Sequence, residues 1–330
     1  MSDAFRAFRV FDEGGKVGGR VVETRIDELT AGDVVIKAAY SSVNYKDAMA
    51  ATGAGKILRR FPVIAGIDVS GTVESSADAR FRPGDHVLVT GYDLGVANDG
   101  GHAEYVRVPA DWIVPVPSGL TLFDVMAIGT AGFTAALSVV QLERNGLDPS
   151  QGPVIVTGAT GGVGSIAVAI LSGLGYEVTA VTGKDHEHDY LRSLGATAVL
   201  PRSAVEKSAR PIEKTTWAGA VDPVGGDTLA WLTKTMNYGA SIANSGLTGG
   251  IELHTTVIPF ILRGVNLLGI DSVMCPMPLR LEVWRRLATD MKPKSLASIA
   301  RQIDLAGLPE AFATLARGGA RGRFVVSVSQ

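Results

Sequence analysis

The run from Val154 to Lys184 constrains this chain more than any other. It opens Val154-Ile155-Val156-Thr157 and turns through Gly158-Ala159-Thr160-Gly161-Gly162-Val163-Gly164. An apolar pattern continues to Gly175, and the run closes on Glu177-Val178-Thr179-Ala180-Val181-Thr182-Gly183-Lys184. Strand, glycine turn, helix and strand thus follow at the spacing of one dinucleotide-binding βαβ unit. The first strand does not alternate, as expected for a parallel strand covered on both faces. Gly161 and Gly162 lack a Cβ, so the backbone can turn sharply and approach a pyrophosphate, while Gly164 lets the helix lie close on its strand. The helix N-terminus offers free N–H groups and a positive dipole end to the phosphates. Ala159 stands where such a fingerprint begins with Gly. A glycine cluster alone would mean only a turn; the order and length of the flanking elements carry the reading.

The end of the second strand selects between dinucleotides. A site for NAD places a carboxylate about 20 residues beyond the glycines, where it binds the ribose 2′-hydroxyl. This chain has Thr182, Gly183 and Lys184 there. A hydroxyl, an open backbone and an ammonium accommodate a 2′-phosphate that a carboxylate would repel, so NADPH is expected. The plain alternative makes Lys184 a solvated turn residue.

At 330 residues the chain is long enough for two cores. With 46% hydrophobic and 19% charged residues it reads as an ordinary globular protein. A net charge of −2 argues against a nucleic-acid surface. No apolar run is read as a membrane span, and Met1 to Arg6 shows no signal-peptide core. Cys275 is the only cysteine, which forbids an internal disulfide and a thiolate-rich zinc site and fits a reducing cytoplasm.

Residues 1–120 are β-rich, with strands expected at Asp33 to Ala38, Gly66 to Val73, Gly84 to Val89 and Gly100 to Val108. Short strands between Gly, Pro and Asp turns suggest a small, partly open barrel. Ser41 to Asp47 reads as a loop entering a helical turn, followed by a basic cluster of Lys56, Arg59 and Arg60. Thr121 and Asp124 are spaced as a helix-capping pair. Residues 121–274 carry the βαβ unit and further strands near Ala196, Gly219, Gly239 and Val265, which assemble most economically into a six-stranded doubly wound sheet. Asp185 is expected to cap a short helix ending at Gly195. The tail, about 275–330, ends in a strand from Arg323 and is expected to return to the first domain.

Several of these runs resemble the medium-chain dehydrogenase/reductase superfamily. They are Asn44-Tyr45-Lys46-Asp47, Gly66-Ile67-Asp68-Val69-Ser70-Gly71, Gly101-His102-Ala103-Glu104-Tyr105, Gly129 to Ala135, and Gly158 to Gly164. The likeness lies in the superfamily's zinc-free quinone oxidoreductase branch. Within it, Trp217-Ala218-Gly219-Ala220, Pro259 to Arg263 and Gly269-Ile270-Asp271-Ser272-Val273-Met274 resemble NADPH-dependent acryloyl-CoA reductases. The resemblance implies an α/β fold, a GroES-like partly open β-barrel beside a Rossmann doubly wound sheet. Zinc-dependent members carry Cys and His ligands in the two early loops; here the first loop has no Cys, and Ile67 follows Gly66. Zinc requires three or four N, S or O ligands, so none is expected.

By the same resemblance Tyr45 lies near the nicotinamide, and Thr160, Gly161, Gly162 and Val163 take the pyrophosphate. Thr182, Gly183, Lys184 and Arg202 surround the 2′-phosphate, and Leu247 and Ser272 line the nicotinamide end. The implied reaction is reduction of acryloyl-CoA to propionyl-CoA by a homodimer in the cytoplasm, with Tyr45 as the first candidate proton donor and water the second. Lys56, Arg59 and Arg60 would meet CoA phosphates, or form only a solvated face. Asp47 serves either as a proton relay or as an acceptor that fixes its loop. His186 and His188 are two apart and point to different helix faces, against a metal pair. A quinone or alkenal reductase stays open, as does a non-catalytic NADPH-binding protein.

Overall fold

Val154, Ile155 and Val156 form the central strand of a six-stranded parallel sheet and are fully buried, which explains their unbroken apolar run. The structure is a computed structural model that describes residues 4–205, 209–294 and 296–329. The first three residues of the stretch read for a signal core therefore lie outside the described residues. The chain divides into two units. One comprises the described parts of Met1–Thr130, Val273–Leu281 and Leu296–Gln330; the other comprises Ala131–Ser272 and the described part of Glu282–Ser295.

In the second unit the strand order is Ala198–Pro201, Val178–Thr182, Val154–Val156, Trp217–Asp222, Met236–Asn244 and Asn266–Gly269. All neighbours are parallel, and the order reverses direction beside Val154–Val156, as in a doubly wound sheet. The helix Gly162–Gly173 follows the central strand directly. A Cβ on Gly164 would come within 2.5 Å of the Gly158 carbonyl oxygen, so only glycine permits this packing.

In the first unit Val34–Val43 is the hub. Its period-two pattern buries Val34, Ile36 and Ala38 while Lys37 stays exposed. Its first half pairs with Tyr105–Val108 and its second half with Arg323–Ser327, and Asp68–Ser76 lies along most of its length. Register shifts at Val35/Ile36 and Ala38/Tyr40 bend it. Val69, Val73, Val87, Val89, Val106 and Val108 complete the core around it.

Several boundaries differ from the expected ones. Ser41 to Val43 belongs to the hub strand, and the strand expected from Gly66 starts at Asp68 because Gly66 turns the chain at φ +103. Extended pairing after Gly100 begins only at Tyr105, since a Cβ on Gly100 or Gly101 would strike backbone at 65–68. Asp185 does not cap a helix; it starts a 3-10 turn, and the helix is His188–Ser193. Residues 282–294 fall with the second unit rather than with the returning tail. There Trp284 stacks on Phe133 at 5.9 Å and Arg286 pairs with Glu143. The first unit also extends to Thr130, ten residues beyond the expected boundary of 120. Helix Leu122–Arg144 is by length and composition long enough for a membrane span, where no such run was read. Interspersed Gly, Ala, Ser and Thr disguise it, 89% of its most apolar window is buried inside the protein, and it is broken at Gly129. The Thr121–Asp124 cap forms in both directions, at 3.0 and 3.1 Å.

Candidate functional site

The dinucleotide side is built on the ends of adjacent parallel strands in the second unit. Thr160 is buried, Gly161 occupies the N-cap of helix Gly162–Gly173, and Val163 lies in its first turn. The N–H groups there have no partner within the helix, and the small residues leave the backbone open to an anion. Thr182 ends its strand; its Oγ1 lies 3.5 Å from Thr160 Oγ1 and accepts the Lys184 N–H at 3.1 Å.

Gly183 is the contact point for Arg202. A Cβ at Gly183 would lie 3.0 Å from Cζ, Nε and Nη2 of Arg202, so the guanidinium rests against a bare backbone. Burial pushes the Lys184 ammonium down, Glu187 opposes this, and the positive charge of Arg202 pushes it further down. Two mutually repelling cations beside an open peptide form a site that a phosphate dianion would relieve. The group set fits NADPH.

At the other strand ends, Asp222 is the residue that sequence reasoning passed over. It is fully buried and accepts from Thr157 Oγ1 at 2.5 Å, Asn244 Nδ2 at 2.9 Å, Gly225 N–H at 3.0 Å and Val224 N–H at 3.1 Å. It ties three neighbouring strands together. The signal was an acid closing the apolar run Trp217 to Val221. The loop that follows Asn244 exposes Leu247, which lines a recess of about 360 Å³ with Gly225, Gly246 and Gly250. Ser272 is buried and accepts from Thr134 Oγ1 at 2.8 Å.

In the first unit Tyr45 is the first residue of helix Tyr45–Thr52 and is 41% exposed, although its neighbours Asn44 and Asp47 are buried. Asp47 accepts the Asn44 N–H at 2.8 Å and the Ile67 N–H at 3.0 Å, so it fixes the loop. Burial, then the charge of Asp68, pushes its carboxyl up to about 7 against the pull of those N–H groups. The basic cluster separates: Arg59 meets Asp93 at 3.1 Å on the surface, whereas Arg60 meets the fully buried Asp99 at 2.7 Å. Asp99 also accepts N–H groups of Thr30 and Ile64, so Arg60 belongs to the scaffold. Lys56 is exposed in the bend that precedes these arginines.

Zinc does not fit the donors present. Ile67 is buried where a ligand would stand, Cys275 is buried and is the sequence's only cysteine, and among the described residues no three His, Cys, Asp or Glu side chains converge. His102 is buried against Ser41 Oγ at 2.9 Å, and burial pushes its imidazole down to about 3. His86 is exposed in its strand. His186 lies 3.7 Å from Glu187 and His188 lies 3.9 Å from Asp185.

Comparison with known proteins places this geometry. Residues 30–118 match the alcohol dehydrogenase GroES-like domain, and residues 162–288 match the zinc-binding dehydrogenase family. The acrylyl-CoA reductase AcuI of Ruegeria pomeroyi is 49% identical over 319 residues, covering 96% of this chain and 97% of its own. YhfP of Bacillus subtilis, named among the quinone oxidoreductases, is 49% identical over 330 residues, covering 99% of this chain and all of its own. Its crystal structure with NAD bound matches with a TM-score of 0.97. Escherichia coli K-12 YhdH, solved with bound NADPH, is 47% identical with a TM-score of 0.96, covering 98% of this chain and 100% of its own.

Proposed function

From a chain that belongs to the medium-chain dehydrogenase/reductase superfamily, in its zinc-free quinone oxidoreductase branch, we infer an NADPH-dependent reductase of short 2-enoyl-CoA thioesters, with acryloyl-CoA as the substrate and propionyl-CoA as the product. The observation that carries the substrate is the end-to-end similarity to an acrylyl-CoA reductase. The relatives divide on the dinucleotide, NADPH in one crystal and NAD in another. The Lys184 and Arg202 pair against Gly183 supports NADPH here.

Thr160, Gly161, Gly162 and Val163 hold the pyrophosphate through the helix N-terminus. Thr182, Gly183, Lys184 and Arg202 hold the 2′-phosphate, and Leu247 and Ser272 border the nicotinamide. Bound NADPH supplies a hydride for the β-carbon of the conjugated thioester. The chain must hold the reactants at bonding distance and place a proton at the α-carbon. Tyr45 is the donor: its O–H bond breaks as the new C–H bond forms, and water restores the phenol. Its exposure above a buried, hydrogen-bonded loop supports that role. Lys56 and Arg59 meet CoA phosphates, where binding remote from the chemistry holds a very small reacting group. Arg60, tied to Asp99, is left out of that role.

The protein works in the cytoplasm, in keeping with its lone cysteine. It forms a homodimer through the sheet edge Asn266–Gly269, which among the described residues pairs on one side only.

The second reading, quinone or enone reduction, has in its favour the name of the Bacillus relative. Steady-state NADPH oxidation with acryloyl-CoA, crotonyl-CoA, a quinone and a small enone separates the two. We expect the highest kcat/KM on acryloyl-CoA, with a loss confined to the CoA thioesters in the Lys56→Ala/Arg59→Ala double variant. A higher value on the quinone would reverse the assignment.

A further inference from the structure

The proton-transfer and binding roles above leave unused a cluster of deeply buried charges in the first unit. Arg323 is 3% exposed, Asp68 is fully buried and Asp47 is 1% exposed. Arg323 comes from the last strand, some 280 residues from the segment it grips. Its Nη1 donates to the Val43 carbonyl and to Asn44 Oδ1, both at 3.0 Å. Its Nη2 donates to Ser42 Oγ at 2.6 Å and lies 3.6 Å from Asp68 Oδ2. Asp68 in turn accepts from Asn44 Nδ2 at 2.8 Å and from Ser42 Oγ at 2.5 Å. The Asn44 amide therefore bridges cation and anion, its oxygen on Arg323 and its nitrogen on Asp68. Asp47 closes the opposite side by accepting the Asn44 N–H.

The residues before Tyr45 are thus held at a backbone carbonyl, a side-chain amide and a backbone N–H. Buried ion pairs are weak sources of stability, because desolvation offsets their attraction and apolar packing often does as well. What this cluster supplies that apolar packing could not is a directional grip on Val43 and Asn44. We propose that Arg323 is the positioning residue of the Tyr45 segment, setting where the phenol stands through its fork on Val43 and Asn44. The inference rests on the reading of Tyr45 as the catalytic residue.

The test is a double-mutant cycle on kcat for acryloyl-CoA with Tyr45→Phe, Arg323→Lys and the double variant. Lysine keeps the charge and loses the fork. Each single change should lower kcat about 10- to 100-fold with little change in KM. NADPH affinity, read by fluorescence titration, should stay within about two-fold. In the Tyr45→Phe background Arg323→Lys should cost nothing more. Amide exchange should quicken at Asp47 and Ala48, whose N–H groups bond to the Asn44 carbonyl at 3.0 and 3.2 Å. If Tyr45→Phe turns over like the unaltered enzyme, the reading of Tyr45 falls and the inference with it. If Tyr45→Phe is slow but Arg323→Lys costs the same factor in both backgrounds, or nothing in either, the positioning role alone is overturned. Should Arg323→Lys fail to fold, Asn44→Ser completes the same cycle, since it keeps a capping hydroxyl and removes the bridge.

Discussion

In the proposed function Lys184 and Arg202 select the dinucleotide, by being placed together rather than by either one alone. A charge-assisted hydrogen bond to a phosphate is worth about 1.5–3 kcal/mol, or about 10- to 100-fold in affinity. Lys184→Ala and Arg202→Ala should each weaken NADPH by that factor and leave NADH nearly unchanged, as measured by their dissociation constants. Equal losses for both dinucleotides would show that the pair does not read the phosphate. Asp47 makes a different prediction, about pH. Its carboxyl is raised from 3.8 to about 7 in the folded protein, so folding favours its protonated form. The stability it contributes is full below 3.8 and is lost as the pH rises through about 7. Each pH unit of that window is worth about 1.4 kcal/mol. The Asp47→Asn variant, which cannot ionise, should therefore gain stability relative to the unaltered protein between pH 4 and 7 in urea titrations. A difference that stays flat with pH would contradict the raised carboxyl.

At the scale of elements, the Rossmann half was legible because its signals are local. The Val154 strand, the Gly161–Gly164 turn and the Thr182 terminus lie within one continuous stretch, each with its own physical reason. The barrel half was legible only in outline. It depends on contacts distant in sequence: Arg323 reaching Ser42 and Arg60 reaching Asp99. Nothing in the local pattern of a basic cluster separates an arginine that faces solvent from one that neutralises a buried acid. The break in helix Leu122–Arg144 was hidden for the same reason. Gly129 adopts φ 53 and ψ −164, and a Cβ there would lie 2.6 Å from Ser42 Oγ and 2.7 Å from Asp68 Oδ2. At the break the Thr130 N–H donates to Asp68 at 2.9 Å. Gly129→Ala should cost at least about 1–3 kcal/mol from backbone strain alone, visible as a lower Tm. An unchanged Tm would mean that the kink is not required.

For the whole molecule, the outer side of the edge strand Asn266–Gly269, which has no strand against it among the described residues, is the feature to account for. Leu267 is 40% exposed on that edge strand, and Ile261, Leu262 and Val257 on the neighbouring helix and its approach are 57–71% exposed. An apolar edge of this kind in a single chain invites strand pairing. Light scattering at micromolar concentration should give twice the chain mass of 34.4 kDa, and Leu267→Lys should return the single-chain mass. A single-chain mass for the unaltered protein would remove the dimer. The central claim is the transfer of hydride from NADPH to the double bond of a CoA thioester, and its product can be read directly. NADPH carrying deuterium at both C4 positions of the nicotinamide, incubated with the protein and acryloyl-CoA, should yield propionyl-CoA with one deuterium at the β-carbon, located by mass spectrometry. No propionyl-CoA, or propionyl-CoA without β-deuterium, would contradict the account.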